Sequence, residues 1–235
     1  MKQHRQQFNE LSQLIAQIGV NSQVSHQYNG NGQVTSTTNG LGNTTHHAFD
    51  ALNRLVQTTD SDGGVVHQNY DTQDKVTQVT DQRGLTTEYQ YNGFGEKVKQ
   101  ISPDTGTTVY KHNSAGLVIE KVDNSGQVVS YEYDAIGRVT HVHFADAANE
   151  DIFYEYDEQL FDSAQPPSVS GAIGKVTRIL DNSGDSQYQY NGQGYLTAKT
   201  YQIEGRQYSQ GFNYKDNGLL DSQIYPRKNL SRHPS

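Results

Sequence analysis

The chain has 235 residues with 22 Gly, 16 Tyr and no Cys, only 32% hydrophobic residues and a formal net charge of -8. The missing cysteines exclude disulfides, thiol chemistry and a cysteine-based zinc site, and an acidic balance without a basic cluster argues against a nucleic-acid partner. Apolar content below the roughly 45–50% of ordinary globular chains excludes a deep aliphatic core, while the aromatic residues argue against disorder.

The N-terminal segment Met1 to Gln7 is polar with no apolar region behind it, so no secretory signal peptide is expected. No stretch approaches the roughly 20 apolar residues of a membrane span. Next come Phe8, Leu11, Leu14, Ile15 and Ile18. Their spacing fits an amphipathic helix, but Phe8-Asn9 also opens a repeat frame, and a strand is the preferred reading.

That frame is an aromatic residue followed by Asp or Asn. It recurs at Phe8, Tyr28, Phe49, Tyr70, Tyr91, Tyr133, Tyr156 and Tyr190, with His112-Asn113 in register and Tyr214-Lys215 as a degenerate last copy. The steps are 20, 21, 21, 21, 21, 21, 23, 34 and 24 residues. A fixed period of this size marks a repeat architecture. The long step holds an insertion, 158–173, after which Gly174-Lys175-Val176 resumes the frame.

Each repeat carries two turn signals. The first runs from the motif Asp or Asn to a Gly three residues on: Asn29 to Gly32, Asn92 to Gly95, Asn113 to Gly116, Asp134 to Gly137 and Asn191 to Gly194. The second follows about ten residues later: Asn39 to Gly42, Asp60 to Gly63, Asp81 to Gly84, Asp123 to Gly126 and Asp181 to Gly184. Asp or Asn at the first position with Gly at the fourth signals a type I turn, its short side chain bonding back to the turn backbone. The Asp and Gly residues of both turns are expected to be structural repeat positions.

Between turns lie short runs rich in Val, Thr, Ile and Tyr, such as Val76 to Thr80 and Arg138 to Val142. Runs of this length suit strands, not helices. Two strands per repeat predict about 20 antiparallel strands in a long all-β meander over 1–225, followed by a polar tail, 226–235. A second Tyr often precedes the motif Tyr by two residues, as Tyr89 precedes Tyr91, Tyr131 precedes Tyr133, Tyr154 precedes Tyr156 and Tyr188 precedes Tyr190, so both rings share a strand face. The tyrosines are expected to stack between neighbouring strands as structural elements.

The segment Tyr133-Asp134-Ala135-Ile136-Gly137-Arg138-Val139, with Tyr131 before it, resembles the YD repeat of the RHS family, and Phe49 to Leu55 is a close variant. The resemblance covers nearly the whole chain. It implies a β-sheet that curves or spirals into a hollow shell. In bacterial members, including the C component of Tc toxins, such a shell encloses a C-terminal toxin and is exported, often by type VI secretion. Teneurins carry a similar shell at cell surfaces. Two features depart from the complete pattern: no Asp-Pro pair occurs, and ten repeats are too few to close a shell. The chain is therefore read as a fragment, a truncated product or one wall segment, and self-cleavage and toxicity are not carried over.

The resemblance and the missing catalytic motifs imply a non-enzymatic structural segment, cytoplasmic before export and then secreted or at a cell surface without a signal peptide. Expected partners are further repeats or a toxin domain in the same or an adjacent chain, with self-association through open sheet edges. The alternative is a free-standing module that binds carbohydrate or a surface partner through tyrosine faces or the 158–173 loop, since loops carry function disproportionately.

No Gly-x-Ser-x-Gly elbow, P-loop or HExxH motif occurs. Asp60-Ser61-Asp62-Gly63 superficially resembles a calcium loop but lacks its closing Glu, with Asp71 in that place. Paired carboxylates for glycoside hydrolysis are not distinguishable from the turn Asp residues. His46 and His47 point to opposite strand faces, whereas His141 and His143 share one and could chelate. With no carboxylate or third ligand in the frame, they read as solvated strand residues, and no metal or cofactor is expected.

Overall fold

The computed structural model describes residues 5–19, 22–157, 171–203 and 205–225. Two compact units divide the chain, Met1–Tyr110 and Lys111–Ser235. The first holds β1 (Arg5–Phe8), β2 (Leu14–Ile18), β3 (Gln23–Tyr28), β4 (Val34–Thr38), β5 (Thr44–Phe49), β6 (Leu55–Thr59), β7 (Val65–Tyr70), β8 (Val76–Thr80), β9 (Thr86–Tyr91), β10 (Lys97–Ser102) and most of β11 (Gly106–His112). The second holds the end of β11, then β12 (Val118–Val122), β13 (Val128–Tyr133), β14 (Val139–Phe144), β15 (Ile152–Tyr156), β16 (Val176–Asp181), β17 (Gly184–Tyr190), β18 (Leu196–Ile203), β19 (Arg206–Tyr214) and β20 (Leu220–Ile224).

Within each unit the strands pair antiparallel with their neighbours in sequence, giving an all-β meander as expected from the repeat. Twenty strands are seen among the described residues, and the N-terminal segment is strand, not helix. Leu14 and Phe8 face each other across the first hairpin, so their apolar spacing serves a sheet face. Apolar residues three or four apart satisfy both periods, and here pairing to β3 decides.

Little is buried. Among the described residues only Ala16, Ala172, Ser36, Thr108 and Thr177 are buried, and no large side chain is fully so. Stability therefore rests on ladder hydrogen bonds, cross-strand pairs and turns more than on a core. Thr38 with Thr44 and Thr80 with Thr86 are such pairs, their hydroxyls 2.9 and 2.8 Å apart beside a turn. Strand alternation is plain in β9, where Glu88 and Gln90 are exposed while Tyr89 and Tyr91 are half-buried.

The turns are built as their sequence predicts. In the Asp134 turn the Gly137 N–H donates to the Asp134 carbonyl at 3.1 Å, and the Asp134 N–H to the Arg138 carbonyl at 2.9 Å. The Asp134 side chain accepts from the Ile136 and Arg138 N–H groups at 3.0 and 2.9 Å. Gly137 sits at φ 85°, in the left-handed region that favours glycine.

The second turns repeat this scheme. Gly63 donates to the Asp60 carbonyl at 3.2 Å, Gly84 to Asp81 at 2.9 Å and Gly126 to Asp123 at 3.1 Å, and each Asp side chain caps its own turn. Gly63, Gly84 and Gly126 lie at φ 85°, 78° and 87°. All three are exposed, and a Cβ at any of them would meet nothing within 4 Å. Their repetition is therefore set by backbone conformation alone, not by packing. Asn53 and Asp74 take the same left-handed place in their turns, at φ 64° and 61°, and are among the side chains that tolerate it.

One turn differs from expectation. Asp181 pairs directly with Gly184, so Asn182 and Ser183 alone form the loop. Gly184 lies at φ 139° against the Gln202 carbonyl, which leaves no room for a Cβ. A two-residue connection matches strand twist better than a type I turn, so the same Asp-to-Gly spacing serves a tighter hairpin.

The insertion leaves the frame intact. Most of 158–173, with Phe161 and Pro166-Pro167, and the tail 226–235 lie outside the described residues. On either side, Tyr156 faces Val176, and the Asp157 N–H donates to the Lys175 carbonyl at 3.1 Å. Gly174, at φ 80°, takes the turn glycine position and donates to Asp157 Oδ1 at 2.6 Å. The insertion thus replaces the middle of a turn.

Candidate functional site: the ladder between repeats

The motif aromatic residues share one construction. Where Tyr133 meets Val139, the register shifts by one residue, so Thr140 is a β-bulge. The same shift accompanies Phe8, Tyr28, Phe49, Tyr70, Tyr91, Tyr156, Tyr190 and Tyr214. A bulge interrupts the strand ladder and leaves a carbonyl beside it without its regular partner.

The motif Tyr of the next repeat supplies one. The Tyr28 hydroxyl donates to the Leu14 carbonyl at 2.8 Å, Tyr70 to Leu55 at 2.7 Å and Tyr91 to Val76 at 2.8 Å. In the second unit Tyr133 donates to Val118 at 2.6 Å, Tyr156 to Val139 at 2.8 Å and Tyr190 to Val176 at 2.9 Å. Phe49 has no hydroxyl for this role. Burial raises the pKa of Tyr91, Tyr133, Tyr156 and Tyr190, which keeps the phenols as donors.

The residue after the turn forms a second link. Arg138 Nε donates to Asp134 of its own turn at 2.6 Å, while its two terminal nitrogens hold Asp157 of the next repeat at 3.0 and 2.7 Å. The guanidinium lies 4.3 Å from the Tyr156 ring centroid. Arg54 repeats this: it pairs with Asp50, reaches Asp74 and the Asp71 carbonyl, and covers Tyr70 at 4.8 Å. Its hydrogen bonds to Asp157 and then to Asp134 raise the Arg138 pKa. Bidentate carboxylate binding and stacking on a ring are tasks suited to arginine's planar fork.

The glycines of the second turns stand apart from this ladder. Gly63, Gly84 and Gly126 shape their hairpins through backbone bonds to Asp60, Asp81 and Asp123. Of the expected structural positions, the motif tyrosines and Arg138 therefore join repeats, while these glycines only close turns.

Among the described residues the tyrosine spacing does not show as the expected continuous ladder of stacked rings. Among the described residues Tyr195 and Tyr214 stack, with centroids 4.9 Å apart. At several other rings a cation lies over the face: Lys97 over Tyr89 and Tyr110, Lys175 over Tyr190, and Lys199 over Tyr188 and Tyr201. At these rings the strands bring Lys or Arg beside an aromatic position, and a cation is drawn to a ring face.

The histidines need a second correction. Beyond β14 the connection to β15 runs through a single 3-10 turn, Ala148–Glu150, instead of an Asp-to-Gly turn. This longer loop carries Asp151 back to β14. Asp151 Oδ2 lies 3.0 Å from His141 Nε2 and 2.9 Å from His143 Nδ1, and Oδ1 accepts the Phe144 N–H at 3.0 Å. The expectation that these histidines lack a carboxylate does not hold. Above all the hydrogen bond from His143 holds the Asp151 carboxyl down to about 2, against the upward push of burial. By contrast, Asp60 of the calcium-like segment commits its side chain to the Asp62 and Gly64 N–H groups and to Gln82.

Tandem hairpins, tied one to the next at six of the motif positions by a tyrosine hydroxyl and in places by an arginine clip, define a β-sheet architecture built of YD repeats. A family model described as teneurin YD-shell matches residues 4–164, and the chain belongs to that family. The fold is similar to a crystal structure of TcdB2-TccC3 without its hypervariable C-terminal region. That match has TM-score 0.66 and 16% identity, and covers 92% of this chain and 14% of the other. A Photorhabdus luminescens Tc holotoxin pore with a TccC3 mutation matches at TM-score 0.51 and 10% identity, covering 94% of this chain and 16% of that one. The chain thus spans about a seventh of the length of these two neighbours. None of the curated protein sequences matches it. Among the described residues no helix is long and apolar enough to cross a membrane.

Proposed function

We propose that the chain is a non-enzymatic segment of an RHS-type shell wall that encloses, or helps deliver, a C-terminal toxin, and that it is exported with that cargo. The observation that carries this reading is the ladder itself. The hydroxyls of Tyr70 and Tyr156 and the guanidiniums of Arg54 and Arg138 are committed to the neighbouring repeat, which uses the conspicuous side chains to hold the wall together. Family membership and the likeness to Tc toxin components support the same role.

Further repeats of the same or an adjacent chain would extend the sheet at its ends. β20 pairs with β19 alone among the described strands, and its side chains are exposed, including Leu220, Ile224 and the adjoining Tyr225. An open edge of this kind recruits another strand. Covered ring faces weigh against sugar stacking, because Tyr70, Tyr89, Tyr156 and Tyr188 each lie under a cation.

Limited proteolysis of the full product of the reading frame tests the proposal. The expected result is a protease-resistant repeat region that shields a further segment, which becomes digestible once the repeats are unfolded in denaturant. A repeat region that leaves every other segment equally digestible before and after unfolding would contradict it.

A further inference from the structure

The His141, His143 and Asp151 cluster has no part in the ladder between repeats. We propose that these three residues form a binding site for a first-row divalent transition-metal ion such as Zn2+ or Co2+. The proposal is independent of the role of the wall.

Local structure builds the site. His141 and His143 lie two apart on β14 and share a face, with ring centroids 5.9 Å apart. The Ala145 to Asp151 connection departs from the turn scheme used by most other hairpins and returns a carboxylate to that face. The potential ligand atoms lie within 4.8 Å of one another. Two histidine nitrogens and a carboxylate suit a borderline transition metal, whereas Ca2+ and Mg2+ prefer all-oxygen sites.

The spacing suits coordination. Metal–nitrogen and metal–oxygen bonds of about 2.1 Å place adjacent ligand atoms about 3.0 Å apart in an octahedral site and about 3.4 Å apart in a tetrahedral one. The carboxylate oxygen Oδ2 is already 3.0 and 2.9 Å from the two ring nitrogens. An ion replacing the shared protons would keep these two contacts and draw the ring nitrogens, now within 4.8 Å of each other, toward the same spacing.

The surroundings orient the ligands. Phe144 N–H fixes Oδ1 of Asp151, leaving Oδ2 to face both imidazoles. Phe153 stacks on His141 with centroids 4.2 Å apart and planes 10° from parallel. The Glu132 carboxylate stands 3.8 Å from His141 Nδ1, the nitrogen left over when Nε2 is a ligand. At that distance it makes no direct hydrogen bond but places negative charge behind the ring, which favours a bound cation. Asp151 and His141 are largely covered while His143 is 41% exposed, so the open coordination positions face solvent. Three protein ligands with open positions is a site that can accept water or a side chain from a partner.

The test uses the full chain without a histidine tag, stripped with a chelator and titrated with Co2+ and Zn2+ by calorimetry and visible absorption. The expected result is saturable binding of one ion per chain, with Co2+ displaced by Zn2+. His141→Ala, His143→Gln and Asp151→Asn should each weaken it by about tenfold or more. His67→Ala, at an exposed position on β7, should leave it unchanged. If a variant does not fold, the unmodified chain decides: Co2+ must broaden the imidazole signals of His141 and His143 before that of His67. Absence of saturable binding would overturn the proposal. So would binding that survives His141→Ala in a folded chain, or equal broadening of all three histidines.

Discussion

The guanidinium of Arg138 lies over the ring of Tyr156, 4.3 Å from its centroid, while the hydroxyl of that ring donates to the Val139 carbonyl one residue beyond the arginine. Successive repeats therefore grip each other in both directions. The arginine reaches forward to Asp157, and the tyrosine reaches back to the bulge beside Val139.

Arg138→Ala should lower the denaturant midpoint more than Arg83→Ala. Arg83 also bridges two carboxylates, Asp81 and Asp104, but it is 60% exposed against 24% for Arg138. Exposed ion pairs contribute little, so the ring contact and the shielded bidentate pair of Arg138 should make the difference. Arg138→Lys should recover only part of the loss, because an ammonium cannot form the fork. Equal midpoints for the two alanine variants would show that the clip adds nothing beyond surface charge.

Tyr91→Phe removes the donor to the Val76 carbonyl and should cost about 1 kcal/mol in urea unfolding. Phe49→Tyr is the converse. It introduces a hydroxyl where six other motif positions use one, and should stabilise by about 1 kcal/mol. A destabilising Phe49→Tyr would mean that the Phe49 repeat has a different bulge geometry.

Gly171→Ala should destabilise by about 1–3 kcal/mol. A Cβ at 171 would run into the backbone of Asn191 and Gly194 in the following turn, and neither can yield easily. Gly174→Ala meets no neighbouring atom and suffers only from its φ of 80°, about 1–2 kcal/mol. Thermal melts of both variants, with Gly171→Ala the lower, would bear out the packing of the returning insertion against the next repeat.

Stability should fall at both ends of the pH scale. N–H groups of the turn backbone depress Asp50 and Asp134 chiefly through Arg54 and Arg138, and Asp81 through Leu85, while the Ser125 hydroxyl leads for Asp123. A depressed carboxyl pKa stabilises the fold fully above the ordinary value of 3.8, and this is lost as pH falls through the lowered folded values. Asn serves the same turn at Asn92 and Asn113, so combining Asp50→Asn, Asp81→Asn, Asp123→Asn and Asp134→Asn should flatten the acid limb. The half-buried tyrosines act oppositely. Their raised pKa stabilises fully below the ordinary 10.0 and is lost as pH rises through the folded values. A stability profile flat from about pH 3 to 11, which spans the ordinary carboxyl and phenol range, would contradict both assignments.

The repeat made much of this fold legible in advance. Tyr89 and Tyr91 announce a strand face by spacing alone, and Asp134 with Gly137 specifies its turn. Gly84 and Gly126 were legible for the same reason, since a left-handed turn position is a local demand. Three features could not be read the same way. The bulge at Thr140 carries no residue signature, so the Tyr156 hydroxyl had no visible target. The contact of Arg138 with Asp157 spans 19 residues and depends on hairpin register. Asp151 sits in the connection that abandons the turn pattern, so nothing in the repeat frame placed it beside His141 and His143. Periodic features are fixed by local geometry, whereas contacts between repeats need the register of two hairpins at once.

Cryo-electron microscopy of the full product of the reading frame that encodes this chain tests the central claim most directly. The expected map shows these strands as a stretch of sheet bounding an enclosed volume, with Tyr70, Tyr91, Tyr133 and Tyr156 bonded to the carbonyls described above. A map in which the repeats stand as a free sheet, with solvent on both faces and nothing enclosed, would contradict it.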